Sequence, residues 1–370
     1  MQKLLSRNKN IYVYIMKRAT TIKIIPKTPN ANPEDRNITI KTFNNTDEIY
    51  QKFMRSDVTL LDLRTCSYLK PDVLLYQKSV DKNDLGINAL VSFIGTKFNN
   101  DELVLKKFKD PIEKNARQII NEIIASILLT REYFNAITPL FTIGRTFASF
   151  VCNGFGYMIL EKYDAHLNPT NFKRILGRHP TNHDLLFVIM QVLVTLKALQ
   201  KKYQFTHYDL HSGNILIKKL TETDEVVGNQ INKSTCLLTF NGVTFEFPKP
   251  EFIVKIIDFG YTRMKYGNKI ISNPKFNTNY DPFYDVVYFL NNIASSFKNT
   301  NQEISDDIDD TISFVKFDKH YRPIVTYSDE SLEHTMIYSK MLDLIRTHIG
   351  WSIKSTSKSQ NMFDIRVVKK

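Results

Sequence analysis

Two polar segments, each joined to an apolar stretch, constrain most strongly how this chain can fold. The first reads His207-Tyr208-Asp209-Leu210-His211-Ser212-Gly213-Asn214 and is followed by the mainly apolar residues 215–219. The second reads Ile257-Asp258-Phe259-Gly260 and closes the mainly apolar residues 252–257. Short apolar runs bounded by Gly, Asn and Asp are typical of buried strands. We therefore predict two strands that carry polar side chains at their ends.

The two segments supply three oxygen-bearing side chains that suit phosphoryl transfer, Asp209, Asn214 and Asp258. A loop carboxylate such as Asp209 can orient a hydroxyl nucleophile and accept its proton. Amide and carboxylate oxygens, as in Asn214 and Asp258, are ligands that Mg²⁺ prefers. We predict that Asp209 is the catalytic base and that Asn214 and Asp258 are the metal ligands.

This pattern resembles the protein kinase superfamily, whose catalytic loop reads H-R-D-L-x-x-x-N and whose magnesium loop reads D-F-G. The resemblance covers roughly Val73 to the low 300s. It implies an α+β, two-lobed fold with a small β-rich N-lobe, a mainly helical C-lobe and Mg²⁺-ATP bound in the cleft. We assign 1–70 to a basic, partly flexible extension, 71–162 to the N-lobe, 163–350 to the C-lobe and 351–370 to a tail.

The resemblance also implies further nucleotide-binding residues. Side chains alternate along a strand, so Lys106 points to the same face as Val104. In a kinase that face looks into the cleft, which makes Lys106 the lysine that contacts the α- and β-phosphates, paired with Glu122 on the next helix. Glu161 matches the first residue of the segment that connects the lobes. There, backbone groups of residues such as Glu161 and Tyr163 hydrogen-bond the adenine.

Two of these assignments have alternatives. Lys106, Lys107 and Lys109 could instead form a solvated run of lysines. Asp285 resembles the aspartate that anchors the catalytic loop from a buried helix. An acidic residue in the first turn of an ordinary helix explains it almost as well.

The chain departs from the kinase pattern at three places. It has no G-x-G-x-x-G, and the expected stretch, 79–88, contains only Gly86. Tyr208 replaces the arginine that normally pairs with a phosphorylated activation loop, so we do not expect that regulation. His211 replaces the catalytic-loop lysine that helps to neutralise the transferred phosphate. The Asp-Leu-His-x-Gly-Asn pattern also occurs in small-molecule phosphotransferases of the aminoglycoside and choline kinase type.

Local signals predict the remaining elements. Residues 88–96 and 101–109 are typical of two strands joined by a turn at Asn99-Asn100. Asp110-Pro111 then starts a helix whose buried stripe consists of Ile112, Ala116, Ile119, Ile123 and Ile127. Thr181 caps a long apolar helix, and Asp281-Pro282 starts another. Asn241-Gly242 favours a tight hairpin turn within an insertion at about 220–250. We interpret the acidic run at 306–310 as a solvated loop, followed by a last helix over about 329–348.

Composition limits compartment and partners. Hydrophobic residues make up 42% and charged residues 24%, as in a soluble globular protein, and the net charge of +12 attracts polyanions. We find no basic stripe interleaved with aromatics, so we expect ATP and a protein substrate rather than nucleic acid as partners. The longest apolar run, 185–199, is interrupted by polar residues, so we expect no membrane span. The sequence does not predict an oligomeric state.

The three cysteines, Cys66, Cys152 and Cys236, are too few and too scattered for a disulfide framework or a zinc site. They suggest a reducing compartment, and we expect a cytoplasmic protein. The high content of Asn, Ile and Lys is similar to that of kinases of large DNA viruses. For a viral chain, the expected location is the host cytoplasm or the virion.

These features together predict an active, divergent protein kinase that phosphorylates serine or threonine. Nothing after Asp209 resembles the tyrosine-kinase version of the loop. The pattern around His211 leaves a small-molecule phosphotransferase as one alternative. The missing glycines leave a catalytically weak pseudokinase that acts as a binding module as the other.

Overall fold

The computed structural model describes the strands and helices of most of the chain, and its contacts divide the chain into two compact units. The described residues are 21–23, 39–41, 74–79, 89–96, 99–133, 142–220, 235–240, 243–248, 251–273, 280–313, 315–317, 323–324, 339–341, 343–344, 347 and 365–366. The first unit comprises Met1–Ala116 and Phe147–Leu160, and the second comprises Arg117–Thr146 and Glu161–Lys370. The mixture of helices and small sheets agrees with the predicted α+β class. The assignment of kinase lobes to 71–162 and 163–350 stays a prediction.

The main sheet of the first unit has five strands. Its order is β3 (Leu74–Ser79), β4 (Ala89–Thr96), β5 (Asn99–Pro111), β7 (Phe155–Glu161) and β6 (Thr146–Cys152). A separate antiparallel pair joins β1 (Thr21–Lys23) to β2 (Thr39–Lys41). The rest of the predicted basic extension lies outside the described residues.

The ladder between β4 and β5 corrects one prediction. The sequence places a turn at Asn99-Asn100, but Thr96 lies opposite Asn99, so both asparagines belong to β5. Pairing with β4 extends β5 up to the short connection between the two strands. This pairing outweighs the low strand propensity of asparagine.

Three of the five helices with described bounds, the first, third and fourth in chain order, begin where the sequence predicts them. Helix α1 (Ile112–Tyr133) buries Ile119, Ile123 and Ile127 along one stripe. Helix α2 (Pro169–Leu176) follows a cap at Asn168. In helix α3 (Asn182–Tyr203) the side chains of the cap Thr181 and of Asp184 each accept a backbone N–H, as in a capping box. The ranges of the other two are α4 (Pro282–Phe297) and α5 (Gln302–Ile312).

Helix α3 forms the centre of the second unit. Among the described residues it is the one helix whose length and composition would allow it to cross a membrane, yet 72% of its apolar window is buried inside the protein. Phe187 on this helix meets Phe252, and Phe252 in turn meets Phe172 of α2 at a ring-centroid distance of 4.9 Å. Its apolar character is therefore satisfied by packing within the unit.

The acidic run was wrongly interpreted as a loop. Residues 306–310 lie within α5, whose apolar residues Ile304, Ile308 and Ile312 are buried, while Asp306 and Asp310 are exposed. Isoleucine at a spacing of four is a helical stripe, and the intervening aspartates occupy the solvent face.

Small sheets complete the second unit. Strands β8 (Ala165–His166), β9 (Ile215–Lys219) and β12 (Phe252–Ile256) form one sheet in the order β12-β9-β8. The predicted hairpin is confirmed, since β10 (Thr235–Phe240) pairs antiparallel with β11 (Val243–Pro248). The remaining pairs are β13 (Met264–Tyr266) with β14 (Lys269–Ile271), β15 (Lys316–Phe317) with β16 (Pro323–Ile324), and β17 (Ile365–Arg366) with β10. Most of the predicted last helix lies outside the described residues.

One cysteine differs from the expectation of reduced thiols. Cys152, at the end of β6, is disulfide-bonded. Spacing along a chain does not report distance in space, so the scatter of the three cysteines could not indicate this bond.

Candidate phosphoryl-transfer site

The two predicted metal ligands lie at the same end of one antiparallel ladder. Strand β9 begins immediately after Asn214, and Ile215 pairs with Ile256 of β12. The N–H of Ile257 donates to the carbonyl oxygen of Asn214 with an N···O distance of 3.0 Å, which is typical of a backbone hydrogen bond. Asp258 is the next residue. The register therefore brings together two segments that are 44 positions apart in the sequence.

Asn214 also holds the predicted catalytic base. Its side-chain nitrogen Nδ2 donates to the backbone oxygen of Asp209 at 2.8 Å and to Asp209 Oδ2 at 3.2 Å. Because an amide nitrogen cannot bind a cation, these bonds leave the amide oxygen of Asn214 as the atom suited to a metal. Asp209 is half-buried and Asp258 is exposed. The arrangement brings the predicted base and the two predicted oxygen ligands into loops that are joined by hydrogen bonds.

His207 links the catalytic loop to the magnesium loop. Its Nε2 lies 3.0 Å from the carbonyl oxygen of Ile257, and its ring lies 5.5 Å from the ring of Phe259. Burial lowers the pKa of His207 to about 4. The imidazole is therefore neutral near pH 7, with the proton on Nε2, where it donates to Ile257.

Asp285 anchors the catalytic loop from α4. Its two carboxylate oxygens accept the backbone N–H groups of His207 at 2.6 Å and Tyr208 at 2.9 Å. The helix cap belongs to Asp281, whose Oδ1 accepts the N–H groups of Phe283 and Tyr284. These contacts confirm that Asp285 anchors the catalytic loop, although it also lies in the first turn of α4.

The environment of Asp285 predicts a difference in pH dependence. Burial raises its pKa to about 7, against the opposing effect of the two N–H donors. The folded protein then keeps a proton that the unfolded chain releases between about pH 4 and pH 7, so this contribution to stability falls as pH rises. The lowered pKa of His207 has the opposite effect. Its contribution to stability rises with pH between about pH 4 and the ordinary pKa of histidine.

Replacing Asp285 with asparagine should remove the contribution to stability that falls as pH rises. The contribution of His207, which rises with pH, should remain. We expect the variant to be less stable than the wild type at every pH, because an amide cannot accept both N–H groups equally well. The deficit should shrink as pH rises from 4.5 to 7.5, by on the order of a few kcal/mol. Melting temperatures of both proteins at four pH values test this, and a constant deficit would contradict it.

Two further anchors were missed by sequence reasoning. Oδ1 of Asn292 accepts the N–H of Ser212 at 2.7 Å, and Nδ1 of His166 lies 2.6 Å from the carbonyl oxygen of Gly213. Neither residue belongs to a motif, and each lies far from the loop in sequence. Only the packing of α4 and β8 beside the loop reveals them.

The magnesium loop is tightly packed at Gly260. Asp258 adopts a left-handed backbone conformation with φ 63°, followed by a short 3₁₀ helix, Phe259–Tyr261. A methyl group built on Gly260 would lie 3.1 Å from Glu122 Oε2 and 3.6 Å from Asp258 Oδ1. The buried carboxylate of Glu122 therefore lies against this loop.

Replacing Gly260 with alanine should displace Glu122 and lower phosphate transfer by about tenfold, because 3.1 Å is tighter than an ordinary carbon–oxygen contact. Gly177→Ala is the matched control. Gly177 ends α2 with φ 74°, and a methyl group there meets no atom within 4 Å, so the control strains the backbone without touching the site. The initial rate per folded molecule is the measurement. Equal rates in both variants would mean that Glu122 tolerates the contact.

His211 and Tyr208, which depart from the kinase pattern, each contact a neighbouring residue. His211 Nδ1 accepts the N–H of Gly213 at 3.0 Å, which directs Nε2 towards Asp209 Oδ2, 3.7 Å away. Tyr208 has φ 64°, and its ring lies 5.1 Å from that of Tyr284. Nε2 of His211 thus faces the predicted base.

The segment after the magnesium loop is held by backbone contacts. Thr206 and Arg263 exchange two backbone hydrogen bonds of 2.8 Å, and Arg263 Nη1 donates to the carbonyl oxygen of Gln204 at 2.6 Å. These bonds need no phosphate group. The expectation that regulation does not depend on an arginine at position 208 stays a prediction.

The structure places Lys106 in the first unit. It is half-buried on β5, with Nζ 5.5 Å from the centre of the Phe108 ring. Lys107 points to the other face, where Nζ lies 4.3 Å from the centre of the Phe155 ring. The two lysines therefore have different surroundings and do not form one solvated run. The predicted pairing of Lys106 with Glu122 stays a prediction.

Glu161 and Tyr163 lie together in the second unit. The hydroxyl of Tyr163 donates to Glu161 Oε2 at 3.0 Å, and both side chains are buried. Their side chains are thus occupied within the protein, which leaves backbone groups for any contact with a nucleotide.

Comparison with known proteins adds independent support for this part of the chain. The profile of a family described as "Haspin like kinase domain" matches residues 181–285, which include Asp209, Asn214 and Asp258. The resemblance to the protein kinase superfamily is confirmed. The matched kinase segment starts at the cap of α3 and ends at Asp285, so it contains both loops and the residue that anchors one of them.

Two relatives share parts of the kinase segment. A probable serine/threonine-protein kinase of Dictyostelium discoideum is 29% identical over 120 residues, which is 30% of this chain and 9% of that protein. The serine/threonine-protein kinase haspin homolog hrk1 of Schizosaccharomyces pombe is 33% identical over 97 residues, 24% of this chain and 20% of that protein. The chain thus spans a fifth or less of the length of these relatives. The similarity to kinases of large DNA viruses stays a prediction.

Proposed function

We propose that this chain is a serine/threonine protein kinase that transfers the γ-phosphate of Mg²⁺-ATP to a protein hydroxyl. The observation that carries the proposal is the register of β9 and β12, which joins Asn214, next to Asp209, to the residue before Asp258. The matched kinase segment and the serine/threonine kinase names of both relatives support it.

The residues present fit a magnesium ion that is shared with a nucleotide. Among the described residues, no group of three or more His, Cys, Asp or Glu side chains could hold a metal by itself. Asn214 and Asp258 would therefore supply two oxygen ligands, and phosphate oxygens and water would complete the coordination, as Mg²⁺ prefers. When bound, the metal neutralises charge on the phosphates.

The remaining chemistry belongs to the chain. Asp209 accepts the hydroxyl proton of the acceptor, while Asn214 Nδ2 fixes the orientation of its carboxylate. Asp285 and Asn292 hold the backbone of the loop, so the base keeps its position during transfer. Lys106, Glu122, Glu161 and Tyr163 complete the proposed nucleotide site by resemblance. A cytoplasmic location fits this role and is part of the proposal.

Transfer of label from radioactive ATP tests the substrate class. Purified protein is incubated with Mg²⁺-ATP and either a protein lysate or a panel of alcohols, sugars and aminoglycosides. We expect label on protein serine or threonine. Label on small molecules alone would instead establish the alternative that the Asp209-Leu210-His211 pattern favours.

Thermal shift tests the pseudokinase alternative, which rests on the missing glycine loop. A nucleotide that binds the folded state alone raises the melting temperature. We expect Mg²⁺-ATP at millimolar concentration to stabilise the protein. The absence of a shift, together with the absence of labelled product, would favour a binding module.

A further inference from the structure

A buried charged cluster surrounds the first residue of the predicted adenine-binding segment. We call it the Glu161 cluster, and its members all lie in the second unit: Arg145, Glu161, Tyr163, Lys218 and Lys255. Arg145 Nε donates to Glu161 Oε2, and Lys218 Nζ lies 3.1 Å from Glu161 Oε1. Lys255 is fully buried, with Nζ 5.7 Å from the centre of the Tyr163 ring. Glu161 therefore contacts Arg145 and Lys218, and the charge of Lys255 also acts on it.

The charge of Glu161 is fixed by these neighbours. Burial alone would raise the pKa of Glu161, but the hydrogen bond from Arg145 and the charges of Lys255, Arg145 and Lys218 outweigh it and lower the pKa to about 2. The carboxylate is thus ionised at any pH at which the protein works. A buried ion group of this kind holds its members in one geometry because any displacement leaves an uncompensated charge.

Tyr163 connects the cluster to the backbone. Its hydroxyl accepts the backbone N–H of Arg145 at 2.8 Å and donates to Glu161 Oε2 at 3.0 Å. The backbone N–H of Glu161 in turn donates to the carbonyl oxygen of Arg145 at 3.1 Å. Side-chain and main-chain hydrogen bonds therefore tie Glu161 and Tyr163 to Arg145 and to each other.

Two of the three cations come from the strands that adjoin the predicted metal ligands. Lys218 lies on β9, four residues after Asn214, and Lys255 lies on β12, three residues before Asp258. The register pairs Lys255 with Leu216 and Ile253 with Lys218, so both lysines are on one face of the ladder. The cluster thus joins the segment that starts at Glu161 to the ladder that ends at the metal ligands.

We infer that the Glu161 cluster positions the backbone of residues 161–163 for adenine, which makes Tyr163 and Lys218 positioning residues for the nucleotide. This inference rests on the proposed kinase function. Backbone donors and acceptors that are already fixed lose no conformational freedom when they bind a planar base. Loosening them weakens binding of the base and leaves the phosphate-binding groups unaffected.

Tyr163→Phe and Lys218→Met are suitable variants, because Glu161 keeps Arg145 as a partner in both and the protein is expected to fold. Lys219→Met is the matched control: it removes the same charge from the next position of β9, where the side chain is exposed and points to the other face. Tyr163→Phe keeps the ring and removes both bonds of the hydroxyl.

The experiment compares two ligands that report on different parts of the site. Inhibition constants of adenosine and of Mg²⁺-tripolyphosphate are measured by displacement of a fluorescent ATP analogue. We expect the adenosine constant to rise about five- to tenfold in Tyr163→Phe and Lys218→Met. The tripolyphosphate constant should stay within about twofold, since hydrogen bonds at the cluster do not touch the phosphates. Lys219→Met should match the wild type for both ligands.

The outcomes separate the inference from the proposed function. Unchanged adenosine binding in both variants, or an equal loss for both ligands, overturns the positioning role while the wild type still transfers phosphate. A wild-type protein that binds neither ligand and transfers no phosphate overturns the proposed function and the inference with it. Loss confined to adenosine supports both.

Discussion

Replacing Asp209 with asparagine should lower the rate of phosphate transfer by about 10²–10⁴-fold and leave nucleotide binding close to that of the wild type. Asparagine has the shape of aspartate but cannot accept the hydroxyl proton. The backbone bond from Asn214 Nδ2 to the oxygen of residue 209 does not depend on the carboxylate, so the loop should keep its conformation. Single-turnover transfer from labelled ATP measures the rate, and a thermal shift with Mg²⁺-ADP measures binding.

Asp306→Asn is the control for this experiment. Asp306 is exposed on α5, so its substitution removes the same charge from a solvated face. The control should retain wild-type transfer. If Asp209→Asn also kept near wild-type transfer, Asp209 would not be the base, and the assignment of the catalytic loop would be wrong.

Replacing Asp258 with asparagine should remove most of the dependence of nucleotide binding on Mg²⁺. Asparagine adopts the left-handed conformation of residue 258 more readily than most residues, so the loop should fold as before. It loses the negative charge that a divalent cation requires. We expect the apparent affinity for Mg²⁺, in the presence of ADP, to fall by at least about tenfold.

Titration of ADP at several Mg²⁺ concentrations measures this change. Nucleotide binding without metal should be similar in the variant and the wild type, because the other contacts are intact. A variant whose Mg²⁺ dependence equals that of the wild type would show that the metal has other ligands. Asp310→Asn, on the exposed face of α5, controls for the loss of one surface charge from the protein.

Much of the local structure could be predicted because its causes lie within a few residues. The side chain of Thr181 caps α3 through the N–H three residues on, and Asn241-Gly242 connects two paired strands. Strand β9 has the predicted bounds, Ile215–Lys219. Each of these signals is a backbone preference or an apolar period, and both can be recognised from neighbouring residues in the sequence.

The interpretations that went wrong concern signals that depend on surroundings. The acidic run at 306–310 looked like a loop because its charges were counted without the isoleucines that turn the helix towards the core. Asn99 and Asn100 looked like a turn because asparagine favours turns in isolation. The first interpretation overlooked an apolar period that the sequence contains. In the second, strand pairing outweighed a local preference.

The sequence alone determined the order of the two loops and the chemistry of their side chains: Asp209 and Asn214 five positions apart, and Asp258 after an apolar strand. Only the tertiary structure decided that Asp285 anchors the catalytic loop and that the charges of three cations act on Glu161. The reason is physical. A side chain's type follows from its own identity, whereas its partner follows from strand register and helix packing across dozens of residues. Which atoms meet there is set by the balance of burial and charge, and that balance exists only once the chain has folded.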